Sequence, residues 1–213
     1  MFSLYDASRS VTYSAGFSAA DYIGRMSLTN PSPAFAADTS TRFAGSSIDA
    51  DGFKALFRGH PGAVSVITAE GPDGPVALTA TSVASVSVDP PLLIFSVSEL
   101  TSAAPSILAA ESVVVHLLDG DDLEVAKLAS TSGADRFADR DRWTRLATGE
   151  PLYHGVRAWT RAAIINRFEA GGSTLVVAQA LQGTITRAPD QGSGALVYHN
   201  RTWHRLTEAS AIS

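Results

Sequence analysis

The stretch VALTATSVASVSVDPPLLIFSV, residues 76–97, decides the fold. Its first part, VALTATSVASVSV (76–88), predicts one strand, in which hydroxyl side chains crowd positions that a buried strand would give to apolar residues. Asp89-Pro90-Pro91 ends that strand, and the apolar LLIFSVS (92–98) predicts the next one. The hydroxyl-rich strand is either an edge strand with one wetted face or the lining of a polar ligand site.

The residues before this stretch predict a helix and a hairpin. In IDADGFKALFRGH (48–60), Asp49 or Asp51 is a candidate N-cap, and apolar side chains follow at helical spacing. AVSVITAE (63–70) predicts a strand. GPDGP (71–75) predicts a turn, because glycine permits a positive φ and proline fixes φ. The strands on either side of this turn are therefore expected to pair.

The residues after it predict short helices at 101–111 and 121–129, the first capped by Thr101 or Ser102. Further strands are expected in SVVVHLLD (112–119), AWTRAAIINRFEA (158–170), STLVVAQALQGTITRA (173–188) and ALVYHNRTWHRL (195–206). Six or seven strands with three short helices show no regular strand–helix alternation, which disfavours a doubly wound parallel sheet. The expected fold is mainly β with short helices, and its antiparallel hairpins close into a barrel.

Composition narrows the function classes. The 213 residues carry a net charge of −5, without the basic surplus of a nucleic-acid binder. The absence of cysteine excludes disulfides and thiolate chemistry. No apolar run approaches the ~20 residues of a membrane span, and the N-terminus does not resemble a signal peptide. A cytoplasmic protein without nucleic-acid or membrane partners is expected.

Motifs for several catalytic classes are missing. The sequence contains no G-x-G-x-x-G after a strand, no P-loop, no H-E-x-x-H and no G-x-S-x-G. A Rossmann dehydrogenase and a metal site are therefore not expected, although a triad assembled in space stays open. His116 predicts a hydrogen-bonded core histidine. His199 and His204 are expected on opposite faces of one strand.

Two adjacent hydroxyl-rich segments, 79–87 and 96–102, favour a ligand that is both flat and phosphorylated. Small side chains let the backbone approach a ring, and hydroxyls and main-chain N–H groups can satisfy the polar atoms of that ring. The second segment leads into a predicted helix start, where free N–H groups favour a phosphate. A ring site and a phosphate site one strand apart suit a mononucleotide such as FMN.

An ordered set of motifs resembles the flavin reductase-like family, whose members have an FMN-binding split barrel. HPGAVSVIT (60–68) resembles the opening strand of the family, and VALTATSVASVSVDPPLLIFSV resembles its signature G-x-T-x-S-S-x-x-S-V-S-x-D-P-P-L. ASTSGADRFAD (129–139) resembles the segment that carries an Arg-Phe pair. Three later strands match in order, the last being ALVYHNRTWHRL against P-L-x-Y-x-x-G-x-Y-x-x-L. The resemblance spans residues 53–206.

The resemblance implies a site and partners. The residues implied to border the flavin ring are Thr79, Ala80, Thr81 and Ser82, and those implied to flank it from the next strand are Ser96, Val97 and Ser98. The phosphate motif is matched by Thr101, Ser102 and Ala103, and the Arg-Phe pair by Arg136 and Phe137. No catalytic side chain is required, because hydride passes directly between NADH or NADPH and the flavin. FMN is the expected cofactor, with FAD as the alternative. A homodimer is implied, and a flavin-dependent monooxygenase is the candidate partner.

Some positions depart from the family pattern. Ser173 stands where a His near the nicotinamide side is frequent, and Gly172 replaces the Asp before it. His116 replaces a common Asn. Two alternatives therefore remain beside an NAD(P)H:flavin oxidoreductase: a flavin-binding electron carrier or specialised flavoprotein that does not use free nicotinamide, and a ligand-free interaction barrel.

The chain divides into two parts at the level of sequence. Residues 1–48 are rich in Ser, Ala, Thr and Pro, and predict a flexible tail or an arm that packs on a partner subunit. Residues 49–210 predict the split-barrel domain.

Overall fold

The structure is a computed structural model that describes residues 12–14, 47–188 and 193–212. In these ranges the chain forms three α-helices, α1 (Ala50–Arg58), α2 (Ala104–Ala109) and α3 (Leu123–Ser130). The strands in the same ranges are β1 Thr12–Ser14, β2 Gly62–Ala63, β3 Ser65–Gly71, β4 Gly74–Ala80, β5 Ala84–Ser87, β6 Leu92–Ser98, β7 Ser112–Leu117, β8 Trp143–Arg145, β9 Pro151–Tyr153, β10 Ala158–Ala170, β11 Ser173–Ile185, β12 Leu196–His199 and β13 Thr202–Arg205.

One large antiparallel sheet dominates the fold. Its strand order is β4-β3-β7-β10-β11-β6-β5, with β1 paired to β11. A three-stranded sheet, β13-β12-β2, and a β8-β9 pair accompany it. β4 and β5 do not pair, so the sheet stays open between its two edge strands. The predicted antiparallel split barrel with short helices is confirmed.

The opening of the main sheet corrects the prediction of one strand over 76–88. β4 ends at Ala80 and pairs with β3, whereas β5 begins at Ala84 and pairs with β6. The segment 81–83 therefore joins the two edges of the sheet. A barrel that does not close needs such a crossing segment, and local strand propensity cannot distinguish it from a continuous strand.

The C-terminal segment corrects a second prediction, because ALVYHNRTWHRL forms two strands rather than one. β12 and β13 pair antiparallel around a two-residue turn, Asn200-Arg201, in which both φ angles are positive (48° and 63°). His199 and His204 therefore lie on adjacent strands, with ring centroids 5.6 Å apart. The expectation that they occupy opposite faces of one strand was wrong.

The helix starts were predicted with mixed success. Asp49 caps α1, and its carboxylate accepts a hydrogen bond from the Gly52 amide at 2.7 Å. The cap of α2 is Ala103, which makes no side-chain capping bond, so the prediction of Thr101 or Ser102 was wrong. α2 has only six residues and begins after the hydroxyl-bearing positions.

The predicted core histidine is confirmed. His116 is fully buried; its Nδ1 lies 3.0 Å from the Val66 carbonyl oxygen, and its Nε2 accepts a hydrogen bond from the Tyr153 amide at 3.1 Å. These partners fit a neutral ring protonated on Nδ1. Burial lowers the pKa of His116 to about 4, against the smaller opposing effect of the Val66 carbonyl.

The N-terminal prediction falls almost entirely outside the described residues. β1 lies along β11, with Thr12 opposite Thr184 and Ser14 opposite Gln182. The remainder of residues 1–46 lies outside the described ranges, so the choice between a tail and an arm stays open.

Candidate functional site

A cleft of about 550 Å³ lies where the 81–83 segment crosses the open side of the sheet. We call it the hydroxyl-lined cleft. The structure brings to it the ends of β4 and β6, the loop before α2 and the segment after α3. Among the predicted site residues, those that line it are Thr79, Ala80, Thr81, Ser82, Ser96, Ser98, Thr101, Ser102 and Arg136.

The two edges of the sheet are tied together at this cleft. The Ser96 amide donates a hydrogen bond to the Ser82 hydroxyl at 3.0 Å. On the β4 side, the Thr79 hydroxyl donates to the Ala126 carbonyl of α3 at 2.8 Å. These bonds fix the walls of the cleft. Both hydroxyl oxygens keep acceptor capacity, and exposed Thr81 and Ser98 add further donors and acceptors.

The cleft has two chemically different ends. Ser102 and Arg136 also line a small neighbouring cavity of about 130 Å³. Thr81, Ser82 and Ser96 line a different neighbouring cavity. The cleft therefore has a cationic end at Arg136 and a neutral, hydroxyl-lined end at the opening of the sheet.

Arg136 is held in place by backbone carbonyls. Its Nε donates to the Ala129 carbonyl at 3.0 Å and its Nη2 to the Thr131 carbonyl at 3.1 Å, at the C-terminal end of α3. The Tyr153 hydroxyl donates to the Arg136 carbonyl at 2.8 Å. The guanidinium is thus oriented, and its Nη1 forms no hydrogen bond with any described residue, which suits an arginine that binds a phosphate.

Four predicted site residues do not line the hydroxyl-lined cleft. The side chains of Val97 and Ala103 are buried in the main core, so only their backbone could take part. Phe137 stacks on Tyr153 at 5.3 Å in the second core cluster and anchors the segment that carries Arg136. Ser173 pairs with Ser98 across β11 and β6, at the margin of the cleft.

The structure adds lining residues that the sequence did not predict. Leu100 is 96% exposed and lies at the mouth of the cleft. Ala129, Ser130 and Ser132 come from the end of α3. No local pattern identifies them, because the pairing of α3 with β4 brings them to the site.

The cleft fits a flavin mononucleotide on three observations. Its volume lies within the ~300–1,000 Å³ typical of small-molecule sites. Its small hydroxyl-bearing walls suit a flat ring with carbonyl and nitrogen edges. Its single cation, among the described lining residues, is at one end, where a phosphate would lie. The predicted phosphate position at the start of α2 stays a prediction: Thr101 and Ser102, just before α2, line the cleft, and Arg136 adds positive charge there.

Comparisons with known proteins agree with this fold. The model of the flavin reductase like domain matches residues 57–207. The chain belongs to this family. An NADH:FMN oxidoreductase of Rhodococcus erythropolis is 36% identical over 160 residues, which cover 75% of this chain and 83% of the relative. The reductase component of a 4-hydroxyphenylacetate 3-monooxygenase from Pseudomonas aeruginosa is 32% identical, covering 68% of this chain and 84% of the relative.

Solved structures of flavin reductases share the architecture. The flavin reductase domain protein from Arthrobacter sp. FB24 has a TM-score of 0.69 at 29% identity, covering 74% of this chain and 95% of that protein. BorF, the flavin reductase component of a bacterial two-component tryptophan halogenase, has a TM-score of 0.66 at 32% identity, covering 75% and 99%. In the described part of this flavin reductase-like chain, no helix combines the length and apolar character needed to cross a membrane.

Proposed function

We propose that this flavin reductase-like protein is an NADH:FMN oxidoreductase, in which the hydroxyl-lined cleft binds FMN. The observation that carries this proposal is the cleft itself, with hydroxyl-bearing walls at the split of the barrel and Arg136 at one end. When bound, FMN supplies the redox chemistry, because its ring accepts hydride from the nicotinamide. Relatives named as NADH:FMN oxidoreductases support the same assignment.

The residues of this chain act by binding and orientation. Ser82, Thr81 and Ser98 offer hydrogen bonds to the polar edge of the ring, and Arg136 holds the phosphate. Holding two reactants in contact makes their reaction effectively unimolecular, so no side-chain acid or base is required for hydride transfer. This accounts for a catalytic site without a paired acid and base.

The direct test is an activity assay on the purified full chain. The assay follows the loss of absorbance of the reduced nicotinamide, with NADH or NADPH as donor and FMN, FAD or riboflavin as acceptor. We expect NADH oxidation that depends on added FMN. Tight flavin binding without oxidation of either donor would instead support the electron-carrier alternative, and failure to bind FMN would contradict the proposal.

We further propose that the reduced flavin serves a flavin-dependent monooxygenase or a related two-component enzyme. The similarity to a monooxygenase reductase component and to a halogenase reductase component supports this role. Adding the purified chain with NADH and FMN to such an oxygenase lacking its own reductase tests it.

We also propose a cytoplasmic location, since the nicotinamide donor is a cytoplasmic metabolite.

We propose a homodimer, supported by large apolar side chains that are exposed in the described part of the chain, of which Leu100 lines the cleft. Leu100 is 96% exposed, Val88 94%, and Ile165 and Phe168 remain 36% and 38% exposed on β10. Large exposed apolar side chains are candidates for an interaction surface. Sedimentation velocity of the wild type should give a dimer, and Phe168→Asp should shift the mass toward the monomer.

A further inference from the structure

A second cavity, of about 800 Å³, adjoins the hydroxyl-lined cleft. We call it the basic cavity. Thr81, Ser82 and Ser96 line both spaces, so a ligand in one lies against a ligand in the other. The other walls of the basic cavity come from α1 and from the β12–β13 turn. The helix precedes the motifs that predicted the flavin site, whereas the turn lies within the closing motif ALVYHNRTWHRL.

Cationic side chains gather in the basic cavity. Lys54 and Arg58 come from α1, and Arg201 comes from the β12–β13 turn. Lys54 forms an exposed ion pair with Asp51 at 3.2 Å, whereas Arg58 and Arg201 form no ion pair with any described residue. In a chain with a net charge of −5, such a local surplus of positive charge favours an anionic ligand.

The turn is fastened to the helix by the backbone. The Asn200 amide donates a hydrogen bond to the Arg58 carbonyl at 3.0 Å. This bond brings the residue before Arg201 against Arg58, so two arginines from distant parts of the sequence border one space.

Arg201 occupies a backbone conformation that favours glycine. Its φ is +63°, and the preceding Asn200 has a φ of +48°. Asparagine adopts positive φ more readily than most residues, whereas arginine pays a steric cost there. The family motif quoted above has glycine at this position. Backbone strain of this kind clusters at functional sites, which makes Arg201 a candidate for a functional role.

We propose that the basic cavity binds the phosphates of the nicotinamide donor and that Arg201 determines donor affinity. This inference rests on the proposed function. The cavity volume suits a dinucleotide, and Phe53 and Phe57, with ring centroids 4.7 Å apart, offer apolar surface to the bases. Two phosphate groups of the donor could pair with these cations: the diphosphate, which NADH and NADPH both carry, and the 2′-phosphate, which only NADPH carries.

The test compares the wild type with Arg201→Gly, which removes the charge and also relieves the backbone. KM and kcat are measured at saturating FMN for three donors: NADH, NADPH and the phosphate-free 1-benzyl-1,4-dihydronicotinamide. We expect KM for the nucleotides to rise about tenfold, as for loss of one charged hydrogen bond. The kcat, the FMN affinity and the kinetics of the phosphate-free donor should not change. Arg142→Gly, the loss of an exposed arginine elsewhere, is the matched control.

The pattern of change identifies the phosphate. Equal increases in KM for NADH and NADPH indicate the diphosphate, and a larger increase for NADPH indicates the 2′-phosphate. Unchanged KM for both nucleotides, or an equal loss with the phosphate-free donor, would overturn the inference and leave the proposed function standing. A wild type that oxidised none of the donors would contradict the proposed function and this inference together.

Discussion

The Ser96 amide donates a 3.0 Å hydrogen bond to the Ser82 hydroxyl across the opening of the main sheet. Ser82 lies in the crossing segment and Ser96 lies on β6, so this bond joins two walls of the hydroxyl-lined cleft. The same two residues also border the basic cavity. This contact therefore stands between the proposed flavin site and the proposed donor site.

Removing the Ser82 hydroxyl should loosen the cleft. In Ser82→Ala the Ser96 amide loses its partner, and a typical net hydrogen bond contributes about 1 kcal/mol, so the Kd for FMN should rise about fivefold. Fluorescence titration measures it. Ser85→Ala, on β5 and outside the cleft, is the control and should bind like the wild type. Equal FMN affinity in both variants would show that the Ser82–Ser96 bond does not shape the site.

Arg136 should discriminate FMN from riboflavin. Charge-assisted hydrogen bonds contribute about 1.5–3 kcal/mol, so Arg136→Gln should weaken FMN binding about 10- to 100-fold. Riboflavin, which lacks the phosphate, should bind nearly as before. Ser102→Glu should act in the same direction by adding negative charge beside the phosphate. The control is Arg142→Gln, and the measurement is paired titration with both flavins. Equal losses for FMN and riboflavin would place the phosphate elsewhere.

His116 should make the fold sensitive to acid. Burial lowers its pKa to about 4, below the ordinary 6.5, so the unfolded chain takes up the proton first as the pH falls. The contribution of His116 to the free energy of unfolding is complete above pH 6.5 and is lost progressively down to about pH 4. Between pH 7 and pH 5 the loss amounts to about 2 kcal/mol. Urea unfolding at these two values measures it. In His116→Asn the free energy of unfolding should fall less over the same interval. An equal fall in both proteins would contradict the assignment to His116.

The buried ion pairs of Arg187 should contribute more to the free energy of unfolding than surface ion pairs do. Its Nη2 lies 2.9 Å from Asp119 and 2.6 Å from Asp122, whose carboxylates are almost fully buried. Burial alone would raise the pKa of Asp119, but hydrogen bonds and charge from Arg187 keep that pKa below its ordinary value. Arg187→Met should cost about 3 kcal/mol of unfolding free energy, because two buried carboxylates lose their partner.

The matched control for Arg187 is Lys127→Met. Lys127 forms an exposed pair with Glu124, which should contribute less than about 1 kcal/mol. Thermal and urea unfolding of both variants give the comparison. Similar stability losses would show that the Arg187 network behaves as a surface pair.

Much of the fold could be predicted from local sequence. The β3–β4 hairpin followed from GPDGP, the start of α1 from the candidate caps Asp49 and Asp51, and the buried position of His116 from the apolar strand around it. The division of residues 76–88 into two strands could not be predicted, because it depends on which edge of the sheet each half joins. The β12–β13 turn was missed because Asn-Arg is not a typical hairpin dipeptide, whereas Asn-Gly is.

The site divides in the same way. Hydroxyl spacing and family motifs predicted residues that the fold brings around one cleft: Thr79–Ser82, Ser96, Ser98, Thr101, Ser102 and Arg136. The motifs could not tell side chains that face the cleft from those that face the core, as with Val97 and Phe137. The basic cavity could not be predicted from the sequence, because Arg58 and Arg201 are far apart along the chain. The β2–β12 pairing and the backbone bond between Asn200 and Arg58 bring them together.

A crystal structure of the full chain with FMN tests the central claim most directly. The ring should lie between the Thr79–Ser82 and Ser96–Ser98 segments, with its phosphate within hydrogen-bond distance of Arg136. Electron density for FMN at any other place, with the hydroxyl-lined cleft left free, would contradict the account.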